Sequence, residues 1–303
     1  KMSEERENRI LSIQSHVVHG YVGNKSAVFP LQLLGFDVDF VNTVHFSNHT
    51  GYEKFAGSKL DPEEINVLYE TMATNQLVGS VSHILQGYCP SPELLQNIYN
   101  MSMKMKNTNP DLRYVCDPVM GDHGELYVPK ELVEIYRDIV VPQSYMVLPN
   151  QFEAELLTKT TISSESDAIK ACNILHDKGV EIVIITSLFY SEGEIILLGS
   201  SRKQGNECCF KLQMPKLPHY YTGTGDLCSA LILGWSLKHP KDIQLACEKA
   251  ISGIRAVIQN TSKFQETTTN PIALKHPELR LIQSKNEIEN PKITLHATSI
   301  PIN

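Results

Sequence analysis

Thr222-Gly223-Thr224-Gly225-Asp226 places two glycines around a threonine and ends on a carboxylate. The apolar run Leu227 to Trp235 follows at once, with helical rather than alternating character. Gly223 and Gly225 can take positive φ and let the backbone come close to a ligand. Successive amide N–H groups in such a turn, just ahead of a helix, form a nest for an anion. A carboxylate beside an anion nest is an odd pairing unless a proton has to be removed there. The plainer reading is that Asp226 caps the helix, which aspartate does well. The pentapeptide alone leaves these two readings level.

Other residues could share that chemistry. Asn150 and Glu153 stand three apart where a helix is expected to begin, so both project near its positive end. The same spacing is a capping box, in which both side chains only satisfy backbone N–H groups. Asp117 and Asp122 could hold a hard cation, since Mg²⁺ favours one or two carboxylates together with phosphate oxygens. Equally, Asp117-Pro118 is a strand-end turn and Asp122 belongs to a solvated loop. His16, His19, His45 and His49 lack a cysteine or carboxylate at ligand spacing and read as pocket or surface histidines. The chain has no G-x-x-x-x-G-K-[ST], no G-x-G-x-x-G after its first strand and no G-x-S-x-G. An anion nest, a base and cation-capable carboxylates suit phosphoryl transfer to the hydroxyl of a small molecule, a reaction governed by positioning and charge neutralisation.

These residues need a scaffold that brings them together. Apolar, β-rich segments near residues 10, 84, 115, 146 and 183 alternate with helical stretches, the pattern of βαβ units around a parallel sheet. Ser15, Tyr88, Asp117, Asn150, Thr186 and Asp226 each fall just past a strand or in the loop after it. In such sheets ligands collect at the carboxyl ends of the strands, so these side chains should meet in one cleft. Asn24 is expected to cap a helix from Lys25 to Leu34, and Asp61 and Ser91 to cap the next two. No linker splits the chain. The expected division is a disordered N-terminus over 1–8 and a single domain over 9–303.

Composition narrows the partners. A 303-residue chain that is 42% hydrophobic and 20% charged suits a soluble globular protein. A net charge of −7 argues against a nucleic-acid or anionic membrane surface. The seven cysteines form no CxxC pair, which fits a reduced, cytoplasmic setting. No apolar run approaches the length of a membrane span, and Lys1 to Asn8 lacks the apolar core of a signal peptide.

Gly223-Thr224-Gly225-Asp226 ahead of an apolar helix resembles the C-terminal signature of the ribokinase superfamily. Four further stretches, Ser12 to His16 with Gly20 to Asn24, Phe46 to Tyr52, Cys116 to Asp122 and Pro149 to Leu156, resemble the eukaryotic-type pyridoxal kinase family. The likeness runs from about Arg9 to Thr298, and motifs in the right order are far more specific than any one of them.

The resemblance implies a ribokinase-like, three-layer α/β/α fold with a mostly parallel central sheet. It implies ATP-dependent phosphorylation of the 5′-hydroxymethyl group of pyridoxal, pyridoxine and pyridoxamine. Asp226 would be the base, with the Gly223, Thr224 and Gly225 amides on the transferring phosphoryl group. Ser15 and Thr50 would bond substituents of the pyridine ring, with Val22, Val44, Phe46, His49 and Tyr88 as pocket walls. Asn150, Glu153, Thr186, Ser187, Thr224 and Gly225 would face ATP, with Asp117 beside them, and Met214, Leu217 and Tyr221 would lie on the adenine side. Asp117, Asp122, Glu153 and Thr186 would serve cations: Mg²⁺ (or Zn²⁺) and a monovalent ion, K⁺ or Na⁺. The family forms homodimers. It often has threonine before the Pro-Asn-Gln triplet, where this chain has Leu148, so side-chain oxygen for the monovalent ion is reduced to Asp117 and Thr186. The Met120 to Val128 loop is also shorter than in vertebrate members. A related kinase of hydroxymethylpyrimidine and a non-catalytic vitamin sensor are the competing readings; the intact Asp226 speaks against the sensor.

Overall fold

Every segment expected as a parallel strand becomes one, and side chains alternate between its two faces as the pleat requires. The computed structural model describes residues 8–216 and 221–301. In chain order the strands are β1 (Arg9–Val17), β2 (Asp37–Phe46), β3 (Gly57–Lys59), β4 (Val81–Gln86), β5 (Arg113–Cys116), β6 (Gly121–Asp122), β7 (Glu125–Leu126), β8 (Met146–Val147), β9 (Ile182–Leu188), β10 (Glu194–Ser201), β11 (Cys208–Pro215) and β12 (Thr298–Ser299). The helices are α1 (Asn24–Leu33), α2 (Pro62–Thr74), α3 (Pro92–Thr108), α4 (Glu131–Ile135), α5 (Gln151–Thr158), α6 (Glu165–Asp177), α7 (Thr224–Lys238), α8 (Ile243–Thr267), α9 (Pro271–Lys275) and α10 (Lys285–Glu289).

Ten strands form one sheet in the order β12-β11-β10-β9-β8-β5-β4-β1-β2-β3. The run from β2 through β1, β4, β5 and β8 to β9 is parallel, and β3, β10, β11 and β12 pair antiparallel at the two sides. Leu11, Ile13, Ile84, Cys116, Val147 and Val183 face the core beneath α2 to α6. Their neighbours Ile10, Leu85, Val115, Met146 and Ile182 face the core beneath α1, α7, α8 and α10. The expected three-layer α/β/α architecture is therefore present. Each such fully buried aliphatic side chain contributes about 1.5–3 kcal/mol.

Helix α7 explains why its sequence shows no polar stripe. All nine residues from Leu227 to Trp235 are buried. The helix packs against α1 and α8 over the sheet, and a helix apolar all round is a buried one. Its first turn, which carries Asp226, is thereby held by the largest block of packing on that face.

Several local expectations need correction. Asn24 does not cap α1; Gly23 occupies the N-cap without a side-chain bond. Buried Asn24 instead accepts from Ser12 Oγ at 2.8 Å and donates to Asn42 Oδ1 at 2.8 Å, stitching β1 to β2. Ser15 and His16 lie within β1, which extends to Val17, rather than after it. Val44 to Phe46 likewise belong to β2. The helix expected over 130–140 is α4 followed by a π-helical turn at Tyr136–Val140. Asp61 and Ser91 do cap, accepting from Glu63 N–H at 2.8 Å and Leu94 N–H at 3.3 Å. Residues 1–7 of the expected disordered start lie outside the described residues, as does Leu217. No described helix is long and apolar enough to cross a membrane.

Candidate active site

A cavity of about 780 Å³ opens at the carboxyl edge of the parallel strands. Ser15 reaches it from β1, Tyr88 from the end of β4, Asp117 from the end of β5, Asn150 from the end of β8, and Thr186 and Ser187 from β9. All the sequence-derived candidates that the structure describes line this one space. The convergence follows from parallel strands ending at the same edge.

The opening of α7 forms one wall. Gly223 is its N-cap with φ of 88°, and a Cβ there would lie 2.1 Å from the Tyr21 carbonyl oxygen, so both conformation and space demand glycine. Gly225 differs from the expectation: it sits in the helix without positive φ, and a Cβ on it would meet nothing within 4 Å. Its value is the open backbone it presents to the cavity. The first bond of this helix runs from Leu227 N–H to Gly223 C=O. The amides of Thr224, Gly225 and Asp226 precede it and have no intrahelical partner. Thr224 Oγ1 donates to Tyr221 C=O at 3.0 Å, steadying the turn.

Asp226 is not a cap. Its Oδ2 accepts from Gly23 N–H at 2.7 Å, across to the β1–α1 turn. Burial pushes its carboxyl up to about 6, against the opposing effect of that amide. A carboxylate with such a value is ionised near neutrality yet basic enough to take a proton.

The opening of α5 is built the opposite way. Asn150 Oδ1 accepts from Glu153 N–H and Glu153 Oε2 accepts from Asn150 N–H, a complete capping box. Glu153 Oε1 also accepts from Met120 N–H at 2.9 Å, and Asn150 Nδ2 donates to Gly121 C=O at 2.8 Å. The structural reading of this pair is realised, and the pair also pins the β6–β7 hairpin over the cavity.

Asp117 is buried and accepts from Ser229 Oγ at 2.5 Å. Burial, then the Glu153 charge, holds its carboxyl well above the usual range, and burial does the same to Glu153. Two buried carboxyls pushed up together mark a place where a cation would restore ionisation. Among the described residues no three His, Cys, Asp or Glu converge on one metal position. Asp117 and Asp122 still fit an ion completed by phosphate oxygens and water. Both Glu153 oxygens already accept backbone N–H bonds, which fixes the carboxylate in place and still leaves lone pairs for an ion or a bridging water. Leu148 is buried and apolar and offers no side-chain oxygen, whereas Thr186 and Ser187 of β9 present hydroxyls to the same cavity.

The other end of the cavity is walled by Val22, Val44, Phe46, His49, Thr50 and Tyr88. Of the four histidines only His49 lines it; the rings of His16 and His45 instead pack edge to face, 5.2 Å apart, elsewhere. On the side of β11, Met214 and Tyr221 line the cavity.

Sequence reasoning missed several lining residues. Ser229 stands three after Asp226 on one helix face, a spacing that could have flagged it. Ile251, Ile254 and Ile258 of α8 also line the cavity at helical spacing, but such a stripe reads first as core. Lys216 and Arg255 bring positive charge to a pocket that also carries the carboxyls of Asp117, Asp122, Glu153 and Asp226. Nothing local in the sequence singles them out.

A mostly parallel sheet between helix layers, with a buried carboxylate at an uncapped helix N-terminus over the strand ends, defines a small-molecule kinase of ribokinase-like fold. The family model described as phosphomethylpyrimidine kinase matches residues 83–272. Pyridoxal kinase of Arabidopsis thaliana is 49% identical over 292 residues, covering 95% of this chain and 94% of that protein. The human pyridoxal kinase is 41% identical over 310 residues, covering 97% and 99%. The solved pyridoxal kinase of Leishmania donovani in complex with ADP and pyridoxamine superposes with a TM-score of 0.89 at 33% identity, covering 97% of this chain and all of that one. The chain belongs to the pyridoxal kinase family.

Proposed function

We propose that the chain transfers the γ-phosphoryl group of ATP to the 5′-hydroxymethyl group of pyridoxal, pyridoxine and pyridoxamine. The observation that carries this reading is Asp226, a carboxylate raised to about 6 and set beside the uncapped start of α7. Asp226 accepts the hydroxyl proton as the oxygen–phosphorus bond forms and the bond to ADP breaks. The amides of Gly223, Thr224 and Gly225 receive the charge on the migrating group, the preorganised stabilisation that dominates such reactions.

Ser15, Val22, Val44, Phe46, His49, Thr50 and Tyr88 take the pyridine end, at the opposite side of the cavity from Met214 and Tyr221, which take the adenine side. Asn150, Thr186 and Ser187 border the phosphates, with Glu153 acting through the loop it pins. Asp117 and Asp122 would hold Mg²⁺ (or Zn²⁺), which would supply charge neutralisation at the phosphates, and Thr186 would lie toward a monovalent ion. Residues 9–303 act as one kinase domain, a reading supported by a sheet that runs from β1 to β12. The family resemblance further supports a cytoplasmic homodimer, which sedimentation at several concentrations would test.

ATP turnover with each vitamer tests the function. ADP release stimulated by all three supports it; release stimulated by none counts against it. The matching phosphomethylpyrimidine kinase model keeps a second substrate in view. Release stimulated by hydroxymethylpyrimidine alone would transfer the case to that enzyme.

A further inference from the structure

Glu278 belongs to no motif, yet it binds three residues from two separated segments beside the cavity. Its Oε2 accepts from Tyr21 N–H at 2.9 Å. Its Oε1 accepts from Tyr52 OH at 3.0 Å and lies 3.2 Å from His49 Nε2. Burial alone would raise this carboxyl, but His49, the Tyr21 amide and Tyr52 outweigh it and hold the group below its ordinary value. Gly20, with φ of 95°, is cut to fit: a Cβ there would lie 2.4 Å from Glu278 Oε2. Next to Glu278, His276 stacks on Tyr52 with ring centres 4.1 Å apart, and Lys275 pairs with Glu53.

The hydrogen bonds around His49 fix its tautomer. Gly51 N–H donates to His49 Nδ1 at 3.1 Å, so Nδ1 carries no proton. The proton of the neutral ring is then on Nε2, which donates to the carboxylate of Glu278. Buried His49 is thus held from both sides at the wall of the cavity. The same carboxylate grips Tyr21, and the carbonyl of Tyr21 packs on Gly223 while Gly23 N–H meets Asp226. One side chain thereby ties the 47–53 loop to the turn against which the base is set.

We propose that Glu278 is a positioning residue for the vitamer: it fixes the orientation and tautomer of His49 and anchors the 47–53 loop over the ring. This inference rests on the reading of the cavity as a vitamer kinase site. Its neutral isostere cannot do the same work. All three partners of Glu278 are donors, and Glu278→Gln replaces one acceptor oxygen by an NH₂ group that confronts a donor.

The test is the kinetics of E278Q with pyridoxal and ATP, alongside its melting temperature and a cycle with His49→Gln. The KM for pyridoxal should rise about ten- to a hundredfold, the scale of a lost charge-assisted hydrogen bond, while the KM for ATP stays within about twofold. In the H49Q background the same change should add no more than about twofold, because the two residues act as one unit. An unchanged KM for pyridoxal, an equal rise for ATP, or effects that multiply independently would overturn the proposal. Should E278Q fail to fold, ¹⁵N NMR of the wild-type histidines decides the point. His49 protonated on Nε2 at pH 8 supports it, and the Nδ1 tautomer overturns it. A wild-type chain that does not turn over pyridoxal sinks the kinase reading instead, while the ring tautomer still reports on Glu278.

Discussion

Two helices begin on the wall of one cavity, and they begin in opposite ways. At α5 the capping box of Asn150 and Glu153 satisfies the local amides, and spare atoms of the same pair hold Met120 and Gly121. At α7 the N-cap is a glycine with no side chain to offer, and the one carboxylate of the first turn reaches away to Gly23. Buried helix ends normally find partners for their leading amides. The α5 end has spent its polar groups on structure; the α7 end leaves its leading amides without an intrahelical partner and holds a buried carboxylate beside them. A helix N-terminus is a good anion site only while it stays uncapped.

The contrast can be broken by substitution, beginning at α7. Asp226→Asn should leave a folded protein with kcat lowered about 10²–10⁴-fold, the usual contribution of a positioned base. Its melting temperature at pH 7 should be no lower than wild type. A carboxyl raised to about 6 adds stability only in its protonated form, and that contribution fades as pH rises through about 6. Near-wild-type turnover in D226N would erase the difference between the two helix ends.

Gly223→Ala tests the backbone of the same turn. Its φ of 88° and the 2.1 Å approach of the Tyr21 carbonyl should cost about 1–3 kcal/mol and lower kcat with it. Thermal melting and steady-state kinetics read both effects, and an unstrained, fully active variant would contradict the account. Asn150→Ala touches the other end. Loss of the cap should cost about 0.5–2 kcal/mol in stability, with the kinetic change confined to the KM for ATP as the 120–126 hairpin loosens. A fall in kcat as deep as that of D226N would mean α5 carries chemistry too. The smallest effect concerns the monovalent ion. With buried Leu148 at the strand end, added K⁺ should change turnover little, and strong activation by K⁺ would refute that inference.

The same contrast marks how far the sequence could be read. Parallel strands were legible because Val, Ile and Leu alternate across two buried faces, and the strand-end residues followed from topology. The sequence holds Asp226 between cap and base because an aspartate near a helix start serves either role. Only its 2.7 Å bond to Gly23, some two hundred positions away in the chain, separates them. Asn24 misled for the same reason: it has the composition of a cap, but tertiary packing enlists it between β1 and β2. Polar Gln14, Ser15 and His16 suggest that β1 ends at Ser15, whereas pairing with β2 carries it on to Val17. Ser229 and Glu278 act through contacts more than a hundred residues distant in sequence, which no local pattern encodes.

The pH dependence of kcat/KM for pyridoxal, compared between wild type and D226N, tests most directly whether Asp226 is the base. Wild-type values should fall about tenfold per unit below an inflection near 6, the value burial gives this carboxyl. The residual activity of D226N should lack that inflection. An inflection that persists unchanged in D226N would place the base on another residue and contradict the account.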